Sequence, residues 1–142
     1  MTTFATPPFI HNCSLADITR ATHSDPGVNN LLIQIVNPDM TMPVPKYPFA
    51  QVEQFWFADV EDDSTCYGPG ISDQQAEQLV QLLQQAFEKR TNVIVHCVAG
   101  LCRSGAVTEV AVQMGFRDPN VARVPNLRVK HKMQRVLGWT YD

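Results

Sequence analysis

The chain of 142 residues is the size of one domain and can bury most of its apolar surface without staples. With 44 % hydrophobic and 18 % charged residues it reads as globular, and no apolar run reaches the ~18 residues of a membrane-spanning helix. The net charge of −3 hides an asymmetry: residues 1–102 carry 4 Lys/Arg against 11 Asp/Glu, whereas residues 103–142 carry 7 against 3. The basic third suits either an anionic ligand or a solvated helix face.

The first residues, Met1 to Pro8, lack the basic and apolar regions of a secretory signal, so a cytoplasmic protein is expected. Cys13, Cys66, Cys97 and Cys102 form no C-x-x-C pair and no repeated spacing. Neither a zinc site nor a disulfide framework is expected, and no cofactor. Each cysteine is read as a core residue, a loop residue or a nucleophile.

In chain order, Phe9-Ile10-His11 reads as a short strand entering a helix, with Ser14 and Asp17 at capping-box spacing. Asp25-Pro26-Gly27 is a turn, and Leu31 to Val36 is a buried strand ended by Asn37-Pro38. Residues 37–50 hold four prolines and form a loop. Gln54 to Ala58 is the next strand, entering an acidic loop of Asp59, Glu61, Asp62 and Asp63. A helix starts at Ser72, with Gln75 at capping-box spacing and one apolar stripe: Ala76, Leu79, Val80, Leu83, Ala86 and Phe87. Lys89 and Arg90 are placed in its last turn, where cations suit the helix dipole.

Val93-Ile94-Val95 has the continuous apolar character of a parallel strand covered on both faces. A helix from about Ser104 to Met114 follows, with Gly115 as its C-cap. Pro119 and Pro125 start or interrupt what remains. Val129, Met133, Val136 and Leu137 give the last helix an apolar face. Its basic positions Arg128, Lys132 and Arg135 have no interleaved aromatics to stack bases, so no nucleic-acid partner is expected. Strands alternating with helices predict a single α/β domain over residues 1–142, with a mostly parallel central sheet and helices on both faces.

The segment from Val93 to Gly105 carries the chemistry. A buried strand ends, a short loop turns and a helix begins, which aims backbone N–H groups at one point and suits a bound anion. Cys97 opens that loop, where helix-terminal amides favour a thiolate. Six residues on, Arg103 can fold back and present its planar fork to two oxygens of a dianion. Gly100 lets the backbone approach the ligand. Cys97, the amides of Val98, Ala99, Gly100, Leu101, Cys102 and Arg103, and the Arg103 guanidinium thus make a phosphate cradle with a nucleophile at its base.

His96-Cys97, five residues, then Arg103-Ser104 resembles the signature of the cysteine-dependent protein tyrosine phosphatase superfamily, and its surroundings resemble the small dual-specificity branch. The resemblance runs from roughly Phe55 to Gly115. It implies that Cys97 attacks phosphorus, that Arg103 binds the equatorial oxygens, and that Ser104 stabilises the departing thiolate. By the same resemblance His96 holds the loop without taking the proton, and Asp59 is the general acid, with Asp62 or Asp63 as alternatives. The tryptophan and proline flanking the acid in tyrosine-specific members are absent around Asp59, and so is their Asn-Arg-Tyr segment, which implies a shallower site. The expected substrates are phosphotyrosine or phosphoserine/threonine proteins. A phosphoinositide or RNA 5′-phosphatase, a rhodanese-like sulfurtransferase and a silent phosphate-binding module are the alternatives. Cys102 is either a packing residue or a redox partner of Cys97.

Overall fold

The computed structural model describes residues 6–20, 29–62 and 68–139. Asp25-Pro26-Gly27, Asp63 and Cys66 lie outside the described residues. Four strands, β1 (Ile10–Ser14), β2 (Leu31–Val36), β3 (Gln51–Trp56) and β4 (Val93–Cys97), form one sheet in the order β1-β4-β2-β3. Every pairing is parallel. All four strands therefore end on the same edge of the sheet, where the anion loop also begins.

The helices are α1 (Leu15–Arg20), α2 (Asp73–Glu88), α3 (Arg103–Met114) and α4 (Leu127–Val136). The two faces of the sheet are covered unequally. Leu31, Ile33, Val93 and Val95 share the main core with Leu79 and Leu83 of α2, Val107 and Val110 of α3, and Val129 and Met133 of α4. On the other face, Leu32 and Ile94 pack with Cys13, Ile18 of α1, Phe9 and Phe49. β2 and β4 are buried at every position, as central strands between two layers must be.

Two capping boxes form where the spacing predicts them. Ser14 Oγ accepts from Asp17 N while an Asp17 carboxylate oxygen accepts from Ser14 N, and Ser72 and Gln75 reciprocate in the same way. Gly115 caps α3 with φ 121°, as expected. Three details differ. β3 begins at Gln51 and ends at Trp56, because β2 supplies a ladder from Leu31–Gln51 onward whatever the polarity of the edge strand's outer face. Lys89 and Arg90 lie beyond α2: Arg90 turns left-handed (φ 57°), its N–H reaching Phe87 O and that of Thr91 reaching Ala86 O, a Schellman closure. Val136 is exposed, and Gln134 is buried in its stead.

Candidate active site

Cys97 is the last residue of β4, 2 % exposed and paired in register with Ser14 at the end of β1. Its Sγ lies 3.1 Å from Ser104 Oγ and accepts the Gly100 N–H at 3.2 Å. A hydroxyl and an amide thus converge on one sulfur at the start of a helix. Both can donate a hydrogen bond to the sulfur. Ser104 is the second residue of α3 and is fully buried; the N-cap position belongs to Cys102, so Ser104 serves the sulfur instead of capping the helix.

Gly100 adopts φ +80°, and a Cβ there would stand 2.5 Å from the carbonyl carbon of Cys13 and 2.6 Å from Ser14 N. Only glycine fits against the end of β1 in this conformation. Asn12 completes that wall by donating Nδ2 to Gly100 O (2.8 Å) and Ala122 O (3.2 Å), and Leu15 N donates to Val98 O (3.1 Å). On the opposite side Val124 N donates to Leu101 O and Asn126 N to Cys102 O. The loop is thereby held from both flanks before any ligand arrives.

Arg103 is 4 % exposed, and its position is set by the ends of the two remaining strands. Nη1 donates to Asn37 Oδ1 (2.7 Å), just after β2, and to Phe57 O (2.8 Å), just after β3. Both acceptors are neutral. Nε is buried without a partner. An unmet buried donor costs ~1–3 kcal/mol.

His96 is fully buried between the sheet's layers, with Nδ1 3.2 Å from Cys97 O and Nε2 without a partner. Burial, with a smaller repulsion from Arg103, pushes its pKa down to about 4 despite the opposing hydrogen bond to Cys97 O. The ring is therefore neutral at physiological pH. The unfolded chain takes up this proton near 6.5, so His96 destabilises the fold progressively as pH falls from about 6.5 to about 4. Chemical denaturation at pH 7.5 and pH 5 should show a loss of about 2 kcal/mol from this group, absent from His96→Asn measured over the same interval.

Asp59 is exposed and follows β3 by three residues. Its Oδ1 accepts from Asn126 Nδ2 at 2.7 Å. Burial first, then the charges of Asp59 and Cys97, raise the Cys102 pKa. Asp59 thus stands beside the residue preceding Arg103. Glu61 accepts from Leu127 N at 2.7 Å and is committed to the start of α4, while Asp62 is exposed on the same loop. Cys13 is a buried core thiol whose pKa is pushed up to about 12, chiefly by burial, then by Asp17 and Cys97.

Val98, Ala99 and Leu101 face outward, Val98 and Leu101 being 39 % and 38 % exposed. The basic face of α4 is tied locally rather than open: Lys132 pairs with Asp73 and Arg128 donates to Ile71 O. Among the described residues, no group of His, Cys, Asp and Glu is arranged to hold a metal, and no helix is long and apolar enough to cross a membrane. The residues that sequence reasoning missed are Asn12, Asn37 and Asn126. Only Asn37 carried a signal, as the polar residue closing a buried strand.

The fold is one shared with solved structures of phosphatase type. The chain superposes on a human tyrosine phosphatase-like serine/threonine/tyrosine-interacting protein with a TM-score of 0.62, at 14 % identity, covering 91 % of each chain. It superposes on a mouse putative dual specificity phosphatase, solved with zinc tungstate, with a TM-score of 0.54, at 20 % identity, covering 96 % of this chain and 90 % of that one. No protein-family model matches the sequence, and no curated protein matches it.

Proposed function

We propose that the chain hydrolyses phosphate monoesters through a cysteinyl-phosphate intermediate on Cys97. The observation that carries this reading is the convergence of Ser104 Oγ and the Gly100 N–H on Cys97 Sγ, at the mouth of a loop closed by an anchored arginine. In the first step the Cys97 thiolate attacks phosphorus; the S–P bond forms and the P–O bond to the leaving group breaks. Asp59 gives its proton to the departing oxygen. The equatorial oxygens rest on the loop amides and on Arg103, whose unpartnered Nε is available to them. In the second step water attacks phosphorus and yields a proton to the Asp59 carboxylate. The S–P bond breaks, inorganic phosphate leaves, and the Ser104 hydroxyl stabilises the returning thiolate.

The leading substrates are phosphotyrosine and phosphoserine/threonine proteins. All five residues between Cys97 and Arg103 are uncharged, and the rim at Val98 and Leu101 is apolar. Such a rim suits a single phosphate on a protein side chain better than a phosphoinositide or an RNA end, whose additional phosphates require cations. Turnover measured with a metal chelator present tests the reading on phosphopeptides and on aryl phosphates of graded leaving-group ability. Wild type should hydrolyse both, and Asp59→Asn should slow poor leaving groups by ~10²–10⁴-fold while an activated aryl phosphate changes far less. Uniform slowing across the series would remove Asp59 from the acid role, and no turnover of any phosphomonoester would overturn the reading.

A further inference from the structure

Asn126 lies in the stretch after Pro125, far in sequence from both the acid and the nucleophile, yet it touches the surroundings of each. It is 3 % exposed, and all of its polar groups are engaged. Its backbone N–H donates to Cys102 O at 3.0 Å, in the loop that cradles the anion. Its side-chain Oδ1 accepts from Val129 N at 3.0 Å, which makes it the N-cap of α4. Its Nδ2 donates to Asp59 Oδ1 at 2.7 Å and to Val60 O at 3.2 Å. One buried side chain therefore fastens the acidic loop to the start of a helix, while its own backbone fastens that helix to the phosphate loop.

The direction of the Nδ2 bond has a chemical consequence. An Asp59 oxygen that accepts a hydrogen bond from an amide cannot easily carry the acid proton on the same side, because two hydrogens would then meet. The bond to Oδ1 thus directs the proton to Oδ2. The Oδ1 of Asn126 cannot exchange roles with Nδ2, since it must accept from Val129 N; the orientation of the amide is set by the helix cap.

We infer that Asn126 is a positioning residue for the general acid, holding Asp59 against the phosphate loop and selecting Oδ2 as the oxygen that carries and delivers its proton. This rests on the proposed hydrolase reading and on Asp59 as its acid, and adds a residue that the signature segment does not contain.

Two variants separate this role from simple structural support. Asn126→Ser and Asn126→Thr both keep an N-cap acceptor for Val129 N, and both lose the amide donor to Asp59. The measurement is kcat on a poor leaving group, such as phenyl phosphate, and on an activated aryl phosphate, for each variant alone and combined with Asp59→Asn. Tungstate affinity and the thermal midpoint are followed in parallel. The expected result is a loss of about 10–100-fold on the poor leaving group and of less than about threefold on the activated one, with tungstate affinity within about threefold of wild type. In the Asp59→Asn background the same substitutions should cost less than about threefold on either substrate, because the group they act through is gone. Equal losses on both substrates, or the same loss with and without Asp59, would overturn the inference and leave Asn126 a structural cap. A single Asp59→Asn variant that shows no leaving-group dependence would instead remove the acid assignment, and the inference with it.

Discussion

Cys97→Ser is expected to lose turnover by at least about 10⁴-fold on every phosphomonoester while retaining the fold and the ability to bind tungstate. The side chain sits at the end of a fully buried strand, and serine is nearly isosteric with cysteine, so the packing of β4 should survive. The Gly100 N–H and the Ser104 hydroxyl would then face an alkoxyl group. A serine hydroxyl ionises far less readily than a thiol, and the neighbouring His96 directs Nδ1 at the Cys97 carbonyl oxygen. The loop amides and Arg103 remain, so oxyanion binding should change little. Binding by calorimetry beside a turnover assay checks both halves. Turnover by the serine variant within about tenfold of wild type would refute covalent catalysis by Cys97.

Arg103→Lys is expected to lower kcat by about 10²–10³-fold with a much smaller change in KM. The guanidinium is anchored through Nη1 to Asn37 and Phe57, which leaves its other face for the phosphate oxygens. Lysine offers one ammonium for both tasks: satisfying the buried acceptors pulls it from the loop, and serving the loop strands Asn37 Oδ1 and Phe57 O. The transition state, with charge spread over the equatorial oxygens, loses more than the ground state. A rise in KM alone, with kcat preserved, would make Arg103 a ground-state binder.

The site was legible where its chemistry is contiguous. Strand, loop and helix start occupy Val93 to Gly105 without interruption, so Cys97, Gly100, Arg103 and Ser104 belong to one short segment whose turn brings them together. Asp59 could be proposed because a strand ends near it. The supports were not legible, because they arrive through topology. Asn12 and Asn126 reach the site from 88 and 67 residues away, measured to Gly100 and to Asp59, and Asn37 meets Arg103 from 66. An asparagine in a loop or at a helix start is ordinary until the partner at its far end is known. The edge of the sheet was misjudged for a related reason. The apolar run at Phe55-Trp56-Phe57 suggested a strand centred there, yet β3 pairs along its polar part as well, since an edge strand needs only one neighbour and one buried face.

The pH behaviour of the fold follows from the burial of one histidine. The resemblance implies that His96 holds the loop without taking the proton, and complete burial keeps its ring neutral. Its cost appears only on acidification, in the interval below about pH 6.5 where the unfolded chain binds the proton and the folded chain does not.

The central claim is the covalent intermediate, and rapid acid quench of wild type during turnover of an activated aryl phosphate tests it most directly. Peptide mapping of the quenched protein should find a phosphoryl group on Cys97, formed within the first turnover and absent from Cys97→Ser. A burst of alcohol release with no phosphoryl group on Cys97, or with the group on another side chain, would contradict it.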